Sequence, residues 1–256
     1  LLAAPQVYRF IRESLRDRFA DVRPIVERML GSSEPEVCEA GARLASLAAL
    51  EHAGSTNVPE STAQPAVAAM SARPGHRSAA DLAADAMRGG PAHRLGVAHV
   101  AAANLSMPEY RAWSAATLTA LFNDDDVRVR RQAASCFRHI QDAPLDAHSD
   151  LMEAFCASKA FAEDPASILH PLETSRERLP GATCTVCEKF LDRFADELRN
   201  VEVHRHEEAL IVATLAFRTY RQHQDDEWSS RALDLIDRLC LDGIGEARGA
   251  LERFER

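Results

Sequence analysis

The sequence predicts an all-α chain of about a dozen helices, folded as a globular bundle or stacked in pairs as a solenoid. Three observations predict it. Ala supplies 45 of the 256 residues, and Ala is the best helix former and a poor strand former. Apolar residues recur three and four apart almost throughout, which is the helical period. No stretch alternates for long enough to make a strand.

Element by element, residues 5–18 set Val7, Phe10, Ile11, Ser14 and Leu15 on one side of a helix. Residues 21–30 form a second, containing Pro24. Ser33-Glu34-Pro35-Glu36 reads as a capping box with Pro in the first turn, and opens a helix to about Glu51. Its face carries Val37, Ala40, Leu44, Leu47 and Ala48. Residues 53–77 break the pattern with Gly54, Pro59, Pro65, Pro74 and Gly75, and read as a loop insertion with one short Ala-rich helix at 65–72. Helices resume at 78–88, 91–104, 108–122 and 126–141, with Gly89-Gly90-Pro91 as a stop followed by a start. Val129, Ala133, Cys136 and Ile140 mark the buried face of the last of these.

The second half reads alike, with helices at 147–157, 165–178, 182–195, 203–222, 226–242 and 244–256. The run from Ala209 to Phe217 is apolar all round, so its helix is expected to be central. Trp228, Ala232, Leu235 and Leu239 make one face of the next, and Ile244, Ala247, Leu251 and Phe254 a stripe on the last.

Composition narrows the function. The formal charge is -9, and residues 129–256 carry most of it, with 17 cations against 24 anions. A protein that lives on phosphate needs a basic surface, so nucleic acid is disfavoured as a partner. No apolar run reaches the roughly 20 residues of a membrane span. The six Cys are scattered through helical patterns, which fits buried, reduced thiols in a cytoplasmic protein. The chain starts Leu1-Leu2-Ala3-Ala4-Pro5, with neither an initiator Met nor the charged head of a signal peptide. It is expected to be part of a longer protein.

Two stretches resemble a known repeat. Asp124-Asp125-Asp126-Val127-Arg128-Val129-Arg130-Arg131-Gln132-Ala133-Ala134 is similar to the second-helix start of a HEAT repeat. Ser32 to Ala40 resembles the same place in an earlier repeat, with Cys38 where the pattern prefers Arg. The resemblance implies a HEAT-like α-solenoid of helix pairs over residues 1–141, with a more compact C-terminal helical bundle over 142–256 that continues the stack. It also implies that Asp126 and Arg130 bond between repeats, and that Pro24 and Pro171 kink first helices. In the second half, the order of Phe155, Ser158 to Phe161, Asp164-Pro165, Val186 to Leu191, Phe217 to Gln222 and Arg231 to Leu239 is similar to the C-terminal helical region of bacterial STAND-type NTPases, many linked to antiphage defence. The NTPase itself would lie upstream.

No complete catalytic set is present. Neither Lys, Lys159 or Lys189, lies in a Gly-rich phosphate loop, and Gly243-Ile244-Gly245…Gly249 has the wrong spacing for a dinucleotide fingerprint. His206-Glu207-Glu208 lacks the second His of a metalloprotease helix. Cys184-x-x-Cys187 with His204-x-His206 has zinc-like residue types, but the two Cys fall in a helix and the two His diverge if theirs has begun. No catalytic residue, cofactor or metal is therefore expected. The candidate interaction surface is Tyr110, Arg111 and Trp113 with Arg128, Arg131 and Arg138, since Trp, Tyr and Arg are frequent interface anchors. Trp228 reads as core.

A solenoid presents an extended binding face. The expected function is therefore non-catalytic recognition or scaffolding: the sensor-side part of a STAND-like defence NTPase, binding a protein ligand or adjoining domains of its parent chain. Oligomerisation would come through that parent. A DNA-repair protein of the HEAT-like alkyl-base glycosylase type is the alternative, against which the acidity counts, and a regulatory scaffold unrelated to defence is a third reading.

Overall fold

A computed structural model describes residues 5–54, 77–139, 148–174, 179–198, 205–224 and 226–241. The chain is all-α, with thirteen α-helices and no strand among the described residues. They are α1 (Pro5–Asp17), α2 (Phe19–Leu30), α3 (Pro35–Gly54), α4 (Ala79–Arg88), α5 (Pro91–Asn104), α6 (Arg111–Leu121), α7 (Val127–Ala134), α8 (Ser149–Cys156), α9 (Lys159–Glu163), α10 (Ala166–Thr174), α11 (Pro180–Leu198), α12 (His206–Gln222) and α13 (Glu227–Leu241). Most of the 53–77 insertion and all of the expected 244–256 helix lie outside the described residues. Two compact units result: Leu1–Leu121 with Asp125–Ala133, and Phe122–Asp124 with Ala134–Arg256.

In the first unit α3 is the centre, touching α1, α2, α4 and α5. Neighbours on several sides bury more than the single face its sequence suggests: Cys38, Ala42, Ala45, Ser46, Leu47, Ala48 and Leu50 are all buried. Small residues let the backbones close in. A Cβ on Gly96 of α5 would lie 2.4 Å from the Glu39 carbonyl oxygen of α3, and one on Gly41 of α3 would lie 2.8 Å from Met29 Cβ of α2. Helix ends are satisfied across elements. His93 Nε2 donates to the Leu30 carbonyl at the end of α2 (2.8 Å). A reciprocal capping box starts α4: Asp81 N–H donates to Ser78 Oγ (3.1 Å) and Ser78 N–H to Asp81 Oδ2 (3.0 Å), worth about 1 kcal/mol. Before α3, Ser32 Oγ accepts from Glu34 N–H (3.2 Å).

One polar cluster sits inside this unit. Arg12 of α1 pairs with Glu51 of α3, and its Nη2 also donates to the Tyr110 hydroxyl (3.2 Å). The Tyr110 hydroxyl donates in turn to Glu51 Oε1 (3.5 Å). The Glu51 side chain is only 10 % exposed, so the pair is held where water screens it poorly. Phe10, expected beside Leu15 on the buried side of α1, is 70 % exposed, whereas Leu15 is 1 % exposed.

The second unit is organised round α12, which touches α10, α11 and α13. It buries Ala209, Ile211, Val212, Ala213, Leu215, Ala216 and Phe217, as an all-round apolar run requires. Beside it six Phe rings form a connected chain. Phe155 meets Phe122 (5.0 Å between centroids), Phe137 (4.9 Å) and Phe161 (5.6 Å), all edge-on. Phe161 meets Phe194 at 5.7 Å and Phe194 meets Phe190 at 5.0 Å. Edge-on pairs at these separations suit the ring quadrupoles. Arg205 lies over Phe194, its guanidinium 4.1 Å from the ring centroid and bonded to Glu197 (2.8 Å) and the Ala162 carbonyl (2.9 Å).

Two elements differ from the sequence reading. The helix expected over 126–141 is α only to Ala134 and continues as a 3-10 turn, Ser135–His139. The residues that change geometry belong to the second unit, where Cys136 and Phe137 are both fully buried; packing the Phe137 ring outweighs the last α turn. A short extra helix, α9, interrupts the link between α8 and α10. Ser158 caps it, with Oγ accepting from Phe161 N–H (3.3 Å). Pro24 and Pro171 both lie inside helices, α2 and α10.

Candidate functional site

The N-terminal halves of α11 and α13 and one side of α8 line an open pocket of about 400 Å³ within the second unit. Three local choices build it. Asp226 starts α13, its Oδ1 accepting from Trp228 N–H (3.0 Å), which places Trp228 in the first turn. Gly181, just inside α11, lets that indole come close: a Cβ there would be 2.9 Å from Trp228 Cη2. Arg231, one turn on from Trp228, lays its guanidinium 5.4 Å from the indole centroid, a cation–π distance. Met152, Leu179, Pro180 and Val186 supply apolar wall, and Glu153 stands exposed at the rim.

Arg231 is committed on its other side. Its Nε donates to Glu188 Oε1 (2.9 Å), its Nη2 to Glu188 Oε2 (2.6 Å) and to Thr185 Oγ1 (3.2 Å). This fork is the strong, planar form of an ion pair, and the Glu188 carboxylate raises the Arg231 pKa. The guanidinium is therefore a fixed plate over Trp228, with its charge already balanced. Cys156 lines the same pocket. Burial pushes its thiol up to about 12 and that of Cys184 up to about 11, and drives Cys187 well above its ordinary value. All three stay protonated near neutrality, so none is an activated nucleophile or a ready thiolate ligand.

Three of the four zinc-like residues lie among the described residues. Cys184 and Cys187 are buried in α11, where the Cys184 thiol contacts the Trp228 carbonyl (4.0 Å). His206 is exposed at the start of α12, and His204 lies outside the described residues. Among the described residues no group of three His, Cys, Asp or Glu side chains is placed to hold a metal.

The residues singled out in the sequence go to different places. Tyr110 is in the core of the first unit, 5 % exposed, and Trp113 packs half-buried against the same cluster. Arg111 is half-buried. Arg128, Arg131 and Arg138 are exposed, and Arg138 belongs to the second unit. Arg128 forks onto Asp126, from Nε to Oδ1 (3.1 Å) and from Nη2 to Oδ2 (2.8 Å). Arg130 is 8 % exposed, and its N–H donates to the Asp126 carbonyl (3.2 Å). Trp228, read as core, is half-buried in the pocket wall. Its one-turn spacing from Arg231 and the Pro180-Gly181 helix start were both visible in the sequence. The distant Glu188 that fixes Arg231 was not.

No helix among the described residues is long and apolar enough to cross a membrane. In comparisons with known proteins, no family model, no curated protein and no solved structure matches the chain.

Proposed function

We propose that the chain is a non-catalytic protein-recognition or scaffolding module, and that the pocket beside Trp228 takes an apolar anchor side chain from a protein ligand or an adjoining domain. The observation that carries this is the pocket's chemistry. Its wall is apolar and aromatic, its cation is spent on Glu188, and its thiols are held protonated. Such a wall offers burial, worth roughly 1.5–3 kcal/mol for one large side chain, and little acid–base chemistry.

In a longer chain the module would be the sensor-side part of a STAND-like defence NTPase. The segments that resemble that family run from Phe155 to Leu239, from the end of α8 through most of α13. HEAT-like stacking of the first unit belongs to the same proposal. Its support is that α2 touches α4 while α3 touches α5, the neighbour pattern of consecutive helix pairs. A P-loop encoded upstream of Leu1 supports the parent; a gene starting near Leu1 removes it.

Peptide display tests the pocket. Selected peptides should carry a Phe, Trp or Leu anchor, and should shift Trp228 emission in a Trp113→Phe background. Ala182→Arg, at the half-buried pocket lip, should abolish that binding while the melting curve stays unchanged. Selected peptides that bind Ala182→Arg as well as the parent chain refute the pocket as the recognition site.

A further inference from the structure

The first unit carries a second concavity, independent of the Trp228 pocket: a groove of about 600 Å³ where α3, α5 and α7 begin. Its floor, the deeper lining, is apolar at Ala92, Leu95 and Val129, with Glu39 half-buried beside them, and Pro35, Pro91, Glu34 and Glu36 stand exposed at the rim. We infer that this groove docks a basic segment of a protein partner, with Arg or Lys stems on the floor and their charged heads at the rim.

Charge decides the occupant. Glu39 is shared between Arg43 and His99 (3.5 Å), and Arg128 at the far edge is balanced by Asp126. Glu34 and Glu36 are exposed and make no ion pair among the described residues. The groove therefore presents two unbalanced carboxylates over an apolar floor. Three converging helix starts would ordinarily invite an anion. Here Pro35 and Pro91 carry no N–H, and the Arg128 N–H at the start of α7 is already given to Asp126 (2.8 Å). The exposed Glu34 and Glu36 carboxylates also repel phosphate and acidic peptides. A metal ion would gain nothing from Pro, Leu and Val, whereas a long cationic side chain uses both parts, burying methylenes and keeping its head in water. A basic segment also complements a chain of net charge -9, which speeds encounter.

The test is fluorescence anisotropy of a labelled Arg/Ala-alternating peptide on the full chain, with a Glu/Ala peptide as the opposite probe. The basic peptide should bind, weaken with salt, and lose about fivefold in affinity for Glu34→Gln/Glu36→Gln. Asp234→Asn/Asp237→Asn removes the same charge from exposed positions of α13 and should leave affinity within about twofold. Ala92→Arg, at a half-buried lining position, supplies the cation from within and should abolish binding with melting unchanged. Equal losses in the two double variants would reduce the effect to net charge and overturn the site, as would undiminished binding by Ala92→Arg or preferential binding of the acidic peptide.

Discussion

Each unit wraps one central helix, and the two do so with opposite side chains. Round α3 the core is built from Ala42, Ala45 and Ala48, met by Ala86, Val97 and Ala98, and the helices approach until glycine is required at positions 41 and 96. Beside α12 the space is filled by six rings in continuous contact. At those two positions there is no room for an added atom. The ring core is held by large groups whose removal leaves a hole. The same mutation class should therefore act differently in the two units. The two Trp, Trp113 and Trp228, stand one in each unit, so Trp113→Phe and Trp228→Phe backgrounds report them separately.

The largest expected effect is deletion in the ring core. Phe155 is fully buried and touches three other rings. Phe155→Ala should cost about 3–5 kcal/mol, read as an early denaturant transition at Trp228. A Trp228 transition at the parent midpoint would mean that the ring chain does not hold this unit together.

Next comes the charge cluster of the first unit. Arg12→Met keeps the length of the side chain but leaves Glu51, 10 % exposed, without its cation. Removing one partner of a buried pair typically costs about 3–5 kcal/mol; the 20 % exposure of Arg12 places this one nearer about 2–3 kcal/mol. The double variant Arg12→Met/Glu51→Met should recover most of the loss, because no charge is then stranded. Failure to recover would make the Arg12 effect one of packing rather than charge.

Addition should then discriminate the two cores. Gly96→Ala gains about 1 kcal/mol of helix propensity but drives a Cβ to 2.4 Å from the Glu39 carbonyl oxygen, and overpacking costs about 1–3 kcal/mol. A net loss of about 1 kcal/mol at Trp113 is expected, with the Trp228 transition unmoved. A stabilised Gly96→Ala protein would break the comparison, since α3 and α5 would then have slack between them.

The smallest effect is at the surface. The Arg128 guanidinium, first through its hydrogen bond, holds the Asp126 carboxyl down at about 2 from an ordinary 3.8. A depressed carboxylate contributes stability that is present above pH 3.8 and is lost as pH falls through about 2. Arg128→Ala should leave stability near neutrality close to that of the parent chain, because water screens the pair. It should also raise the Asp126 titration midpoint toward 3.8 by NMR. An unmoved midpoint would assign the depression to the backbone N–H donors of α7 instead.

Periodicity and composition were enough to determine the all-α class and the place of most helices, because both depend on local backbone preference and on which residues avoid water. The centrality of α12 followed from an apolar run with no polar side, and five of the six Cys are buried in helices as their surroundings suggested. Tertiary structure decided what depends on partners distant in sequence. It buried α3 nearly all round by surrounding it, turned Phe10 outward, tightened 135–139 to seat Phe137, and drew Tyr110 into the core through Arg12 and Glu51. It also brought Trp228 of α13 against Gly181 of α11 and locked Arg231 to Glu188, 43 residues away. A helical repeat records which side of a segment is apolar; which neighbour covers that side, and where a cover is missing, is settled only when the helices pack.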